Sequence, residues 1–406
     1  MSKHSWIGLL AVLVTFAAQA AEDPQWLKDA RAREGTPGRA VELKSNDKWF
    51  KARVPAKVVG DIEKSEGSYT VQLDIGSEQP AFCEIMPDGF DMADMLRRNL
   101  EFTMGQVAEA QGKVEVRALE FIDAGVFGNV PYLQTQWVYR VNDGTAQRVG
   151  GFKQISMEKS DKGIYCAHVD VGYAKTFVAI AKAFAETFET TSDGVAPYYE
   201  EIAIATMAGK KIGVALTTLE RDKDGDTKAV ETTAMLVPTP EGTLHSQDAV
   251  HLEWIRPDAS LINATHFIAK DGELTTNVTL NVVEDVWVVD GELEGKKLNE
   301  KLAGDAQPGT WVALAKGLRK LLATDNPVGA EHTMSTWLAS DPRKLVDAKT
   351  KVVSQVGSKQ FKAQATAGDM NATITLDKES GTVDNAEIRM GAMEVKVERV
   401  YLKGSF

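Results

Sequence analysis

From Ile202 to Leu402 the chain is a succession of short strands, and this limits what it can fold into more than any other feature. Ile202 to Met207, Ile212 to Leu219 and Val230 to Val237 read as successive strands. Val250 to Ile255, Ala264 to Ile268 and Glu273 to Leu280 continue the series. Asp224-Gly225 and Asp271-Gly272 supply hairpin turns, and Pro257-Asp258 a further break. A second series runs through Met334 to Leu338, Val346 to Val353, Phe361 to Thr366, Ala372 to Leu376, Ala386 to Arg389 and Met393 to Leu402. Between the two series the period changes to that of a helix, from about Thr310 to Ala323. Trp311, Leu314, Leu318, Leu321 and Leu322 fall on one of its faces and Lys316, Arg319 and Lys320 on another. The expected product is an antiparallel sheet with this helix packed on it. No fixed-period repeat and no low-complexity segment accompanies the pattern.

The first half mixes strand and helix. Tyr69, Val71, Leu73 and Ile75 alternate with polar residues, and Ala81 to Met86 reads as a neighbouring strand stopped by Pro87-Asp88-Gly89. A helix is expected next, with Asp91 as N-cap, Met92, Leu96, Leu100, Met104 and Val107 on one face, and Gly112 as its stop. Three or four strands follow between Val114 and Val171, broken by Gly125, Asn142-Asp143-Gly144 and Asp161-Lys162-Gly163. A last helix, Ala174 to Thr190, spaces Phe177, Ile180, Phe184 and Phe188 for burial against a sheet. The polar stretch Thr190 to Pro197 is the expected boundary between residues 21–191 and 197–406.

The fold class expected is therefore α+β: an N-terminal αβ sandwich on an antiparallel sheet, then a β-rich antiparallel sheet with one packed helix. In element order, residues 45–190 resemble the PsbP-like αβα sandwich, most closely where Gly163 to Tyr173 leads into the Phe-rich helix. That resemblance implies a non-catalytic accessory or binding module and assigns no functional residue. The opening strand Gly209-Lys-Lys-Ile-Gly213, the Asp-Gly hairpin and the strand-rich C-terminus resemble the half-barrel of LolA-like lipoprotein carriers. Proteins of that kind hold an acyl chain between a curved sheet and short helices. A plain antiparallel sheet packed on its neighbour gives the same pattern.

The first twenty residues address the chain. Lys3 precedes an apolar run from Trp6 through Ala18, and Ala18-Gln19-Ala20 supplies the small residues of a signal-peptidase site. Cleavage near Ala20 would place the mature protein in a periplasm or outside the cell, with no transmembrane segment remaining. Removing the leader makes the net charge of -12 one unit more negative, which argues against a nucleic-acid partner. Two cysteines remain, Cys83 and Cys166, expected as a disulfide in an oxidising compartment, with two free thiols as the alternative.

Few motifs carry chemistry. Asp222-Lys-Asp-Gly-Asp226 alternates hard oxygen ligands, but its glycine stands at the fourth position of a calcium loop and Thr233 where a bidentate Glu is required. A hairpin turn accounts for it. His251 and Glu253 share a strand face near His266 and are candidate zinc ligands, weighed against ordinary satisfied polar residues. His168 follows Cys166 on one face, but a bond to Cys83 removes the nucleophile such a pair needs. No nucleophile elbow, phosphate loop or dinucleotide fingerprint occurs, and no cofactor is expected. The reading is a binding or accessory protein without enzymatic activity, holding an apolar small molecule against Trp311, Leu314, Leu318 and Leu322. The alternatives are an envelope scaffold that takes a protein partner near Tyr198 and Tyr199, and a hydrolase using carboxylates or a bound metal.

Overall fold

The computed structural model describes residues 25–36, 38–88, 91–111, 113–142, 147–191, 195–239, 243–302, 307–390 and 393–405. The leader over residues 1–20, the Gly112 stop, the Asp143-Gly144 turn and positions 192–194 of the boundary lie outside them.

After a short helix α1 (Gln25–Arg31), the first half carries β1 (Val41–Lys44), β2 (Phe50–Val54), β3 (Lys57–Ser65), β4 (Ser68–Asp74) and β5 (Ala81–Met86). Helix α2 (Met92–Gln111) leads to β6 (Lys113–Phe127), β7 (Val130–Asn142), β8 (Gln147–Lys159) and β9 (Lys162–His168), followed by α3 (Ala174–Thr187) and β10 (Glu189–Thr190). A seven-stranded antiparallel sheet runs β3-β4-β5-β9-β8-β7-β6, and β1-β2-β10 form a three-stranded one. The central pairing, β5 with β9, sets Cys83 directly opposite Cys166, and the two are joined as a disulfide.

Period-two alternation divides the seven-stranded sheet between two helices. Ile164 and Cys166 face α3, sharing a core with Phe177, Ile180 and Phe184. Tyr165 and Ala167 face α2, in a core with Met92, Leu96 and Leu100. The sequence predicted that α3 runs to Thr190; it ends at Thr187, whose hydroxyl donates to the Ala183 carbonyl and accepts from the Arg53 N–H. Phe188 is then extended and Glu189–Thr190 pair with Lys51 and Phe50, so the last residues of the predicted helix join a sheet.

The second half is a single antiparallel sheet of fourteen strands. β11 (Tyr199–Met207), β12 (Lys210–Arg221), β13 (Thr227–Pro238), β14 (Leu244–Ile255) and β15 (Leu261–Lys270) are joined by hairpins to β16 (Glu273–Val283), β17 (Val286–Leu293) and β18 (Lys296–Lys301). The chain then forms α4 (Trp311–Leu322) and re-enters the sheet at its opposite edge. From there β19 (Glu331–Trp337), β20 (Leu345–Gln355), β21 (Gln360–Ala367), β22 (Met370–Asp377), β23 (Val383–Met390) and β24 (Met393–Gly404) return to pair with β11. The sheet rolls: Trp337 of β19 shares a core with Leu261, Val278, Val289 and Leu298 of β15–β18. The edge strands β18 and β19 are not hydrogen-bonded to each other, so among the described residues the barrel is not closed.

Helix α4 fills the trough. Thr310 caps it, its hydroxyl accepting from the Ala313 N–H at 3.1 Å. Leu318 and Leu322 pack with Val352, Phe361 and Leu376, while Val312 packs with Tyr199, Leu219 and Ile255. The sheet changes near residue 191, but the core does not stop there. Ile204, Val214, Ala234 and Leu236 share a cluster with α2 and the seven-stranded sheet.

Candidate functional site: a cavity between the two sheets

The outer face of β12–β16, turned away from α4, is one wall of a cavity. Val214, Ala234, Asp248, Ala269 and Leu274 are successive cross-strand partners, so their side chains form one row on that face. Two residues along, Leu216, Thr232, Val250 and Phe267 form the next. Opposite them stand Asp91 and Met92 at the start of α2, Pro131 of β7 and Glu158 of β8. The cavity, open at one side, has a volume of about 440 Å³, within the ~300–1,000 Å³ of ordinary small-molecule sites. Phe267 and Leu274 are 40% and 55% exposed and make an apolar rim.

The start of α2 is fixed to this wall. Both carboxylate oxygens of Asp248 accept backbone N–H bonds, from Ala93 and Asp94, at 2.9 Å each. The sequence predicted Asp91 as N-cap, and its carbonyl does accept the first helical bond from Met95. The capping carboxylate, however, comes from a strand more than 150 residues later. Asp94, buried, pairs with Arg97 and Arg98 and accepts from the Ser246 hydroxyl at 3.0 Å. Arg97 also donates to the Asp271 carbonyl at 3.0 Å.

Burial pushes Glu158 up to about 7, aided by the negative charges of Asp161 and Asp248. Burial also raises Asp248 to about 7, against the two backbone bonds that favour its charged form. Both groups therefore favour the fold when protonated. Their contribution is complete below the unfolded carboxyl pKa and is lost as pH rises through about 7. Denaturant midpoints should fall between pH 5 and 8, with Glu158 accounting for about 1–3 kcal/mol. Glu158→Gln should flatten that slope. An unchanged slope in the variant would mean that Glu158 is not held as described.

The concave face under α4 carries a line of polar groups. Glu201, Thr217, Glu231, His251 and His266 are consecutive cross-strand partners on β11–β15. Glu253 stands two residues along β14 and accepts from His251 Nε2 at 3.1 Å and from the Trp311 N–H at 2.9 Å, tying the first turn of α4 to the sheet. Burial opposes charge on His251, but the bond to Glu253 and the charges of Glu253 and Glu231 outweigh it and raise its pKa. His266 is pushed down to about 2 by burial and then by the charge on His251. Their rings stack with centroids 4.1 Å apart.

The structure thus brings His251, Glu253, His266 and Trp311 together. The two imidazole rings stack, and His251 Nε2 is committed to Glu253. Among the described residues, no three His, Cys, Asp or Glu side chains converge as metal ligands do. Leu318 and Leu322 are buried in the core beneath α4, Leu314 packs on the same cluster, and Trp311 lies against Tyr199 at 5.3 Å.

Tyr199, expected as a partner anchor, is only 1% exposed because its ring fits under α4. Tyr198 lies beneath the Arg221 guanidinium at 4.9 Å. The Asp222 carboxylate accepts from the N–H groups of Asp224 and Asp226 at 2.9 Å, which closes the β12–β13 turn. His168 is buried beside the Ser77 hydroxyl and the Phe177 ring.

Sequence reasoning missed Glu158, Asp248 and Phe267. The available signal was the adjacent pair Phe267-Ile268: neighbours on a strand point to opposite faces, so β15 carries a large apolar residue on each of its faces.

No family model matches the chain, and no curated protein matches it in sequence. Among solved structures, a β-barrel-like protein of the domain-of-unknown-function family DUF1849 from Brucella abortus is 12% identical, with a TM-score of 0.39, over 52% of this chain and 98% of that one. A DUF1089 family protein from Pseudomonas aeruginosa is 10% identical, with a TM-score of 0.20, over 48% of this chain and 93% of that one. The likeness is distant and at the level of β-rich folds, and neither protein is described as PsbP-like or LolA-like.

Proposed function

We propose that this chain is an exported, non-catalytic binding protein that holds a small, largely apolar ligand between its two sheets. The observation that carries the reading is the cavity of about 440 Å³, with Leu216, Val250 and Phe267 on its floor and a few carboxyl groups in its wall. Apolar walls with a small number of placed polar groups are what ligand sites have in common. The ligand is placed here rather than under α4, whose Leu318 and Leu322 are already used in packing. Export is supported by the run from Trp6 to Ala18 with Ala18-Gln19-Ala20, and by a cysteine pair of the kind an oxidising compartment maintains. The PsbP-like and LolA-like readings of the two halves belong to the same proposal, because both imply accessory or carrier roles.

Native mass spectrometry, with solvent extraction, of the protein purified from a cell envelope tests this. The expected result is a bound species of one apolar molecule per chain, or stoichiometric uptake of decanol by the emptied protein. A bare mass together with no saturable uptake would overturn it.

A further inference from the structure

We infer that the occupant of this cavity carries a positively charged nitrogen: it is an amphiphilic amine whose cation pairs with Glu158 while its apolar body lies on Leu216, Val250 and Phe267. The inference rests on the reading of the cavity as a ligand site and adds the class of ligand.

Three observations lead to it. First, the ionisable side chains that border the cavity are all carboxyls, Asp91, Glu158 and Asp248, and none of the bordering side chains is basic. An anionic ligand would meet three carboxyl groups and no cation to pair with. Second, the carboxyls are not equivalent. Asp248 is committed to the first turn of α2 through Ala93 and Asp94. The Glu158 side chain has no hydrogen-bond or ion-pair partner among the described residues, and the charges that act on it, from Asp161 and Asp248, are of its own sign. A half-buried carboxylate beside apolar walls is costly until a cation or donor reaches it. A neutral ligand would leave that cost in place, whereas an ammonium group offsets it with a charge-assisted bond. Third, the floor carries an apolar row interrupted only by Thr232. Leu216 and Val250 are on one cross-strand row, which continues to Phe267 at the open rim. The ligand therefore has a charged end near β8 and an apolar length along the outer face of β12–β15.

Three probes of equal chain length separate the terms: decylamine, decanol and decanoate, titrated into the full-length mature chain at pH 8, below their aggregation concentrations. The expected result is decylamine binding at least tenfold more tightly than decanol, and decanoate binding most weakly. Glu158→Gln should weaken decylamine about tenfold and bring the decylamine-to-decanol ratio near one. Its fold is checked by circular dichroism and by the spectrum of its buried tryptophans. Equal affinities for decylamine and decanol in the parent protein would overturn the cationic inference and leave the ligand site standing. A tenfold preference that survives in Glu158→Gln would overturn the assignment to Glu158. Failure of all three probes to bind would overturn the ligand site itself.

Discussion

Replacing Cys83 and Cys166 together with alanine lowers the stability of the fold by about 3–5 kcal/mol. The two residues are 83 apart in sequence and face each other in the central pairing of the seven-stranded sheet, each 1% exposed. Without the bond, the unfolded chain regains the entropy of an open loop of that length, and most of the loss comes from there. Alanine adds a smaller term, because both sulfurs sit in the core that α3 covers. Denaturant unfolding of oxidised and reduced protein, beside the double variant, is the check. The reduced and double-variant midpoints should fall together, well below the oxidised one. Coincidence of all three midpoints would mean that the bond does not constrain the folded chain.

The second large effect is expected at Asp248. Asp248→Ala removes two charge-assisted bonds to the first turn of α2 and leaves the Ala93 and Asp94 N–H groups without their partner. Helix caps and hydrogen bonds to charged groups together put the loss at about 2–4 kcal/mol. Part of it is offset because the desolvation that raises this carboxyl to about 7 disappears with the side chain. The loss should therefore be smaller at pH 8 than at pH 5, because the contribution of Asp248 falls as pH rises through about 7. Hydrogen exchange should speed up across the first turn of α2 and the start of β14 while α3 remains protected. A change below about 0.5 kcal/mol would mean that this contact does not hold the two sheets together.

Most strands from Ile202 to Leu402 were legible from their runs of apolar and β-branched residues between turn signals, but Val286–Leu293, with a single fully buried residue, was not. The helix at Trp311–Leu322 was legible from its apolar face, with Thr310 marking its start. The strand Lys296–Lys301 was not, because an edge strand has to bury little: Leu298 is its one inward apolar residue among charges. The pairs β1–β2 and β3–β4 were hidden in part by short strands and by the mostly exposed pattern of Lys57–Ser65.

The polar groups were legible as residues, but their partners were not. His251 and Glu253 announced a shared face, yet the N–H that Glu253 binds belongs to Trp311, 58 residues away. The cavity was the least legible feature. Glu158 and Asp248 stand on different sheets, and only the packing of α2 between those sheets brings them to one space. Local periodicity carries no information about that packing.

The claim most exposed to test is that a ligand lies between the sheets. Thr232 stands on the cavity floor between Leu216 and Val250, where a tryptophan would occupy the space without touching the core under α4. Nile red, a neutral apolar dye, should bind the parent protein saturably at one site per chain, and Thr232→Trp should lose at least tenfold in affinity while melting within a few degrees of the parent. Equal dye binding by parent and variant would place the apolar site elsewhere and contradict the account.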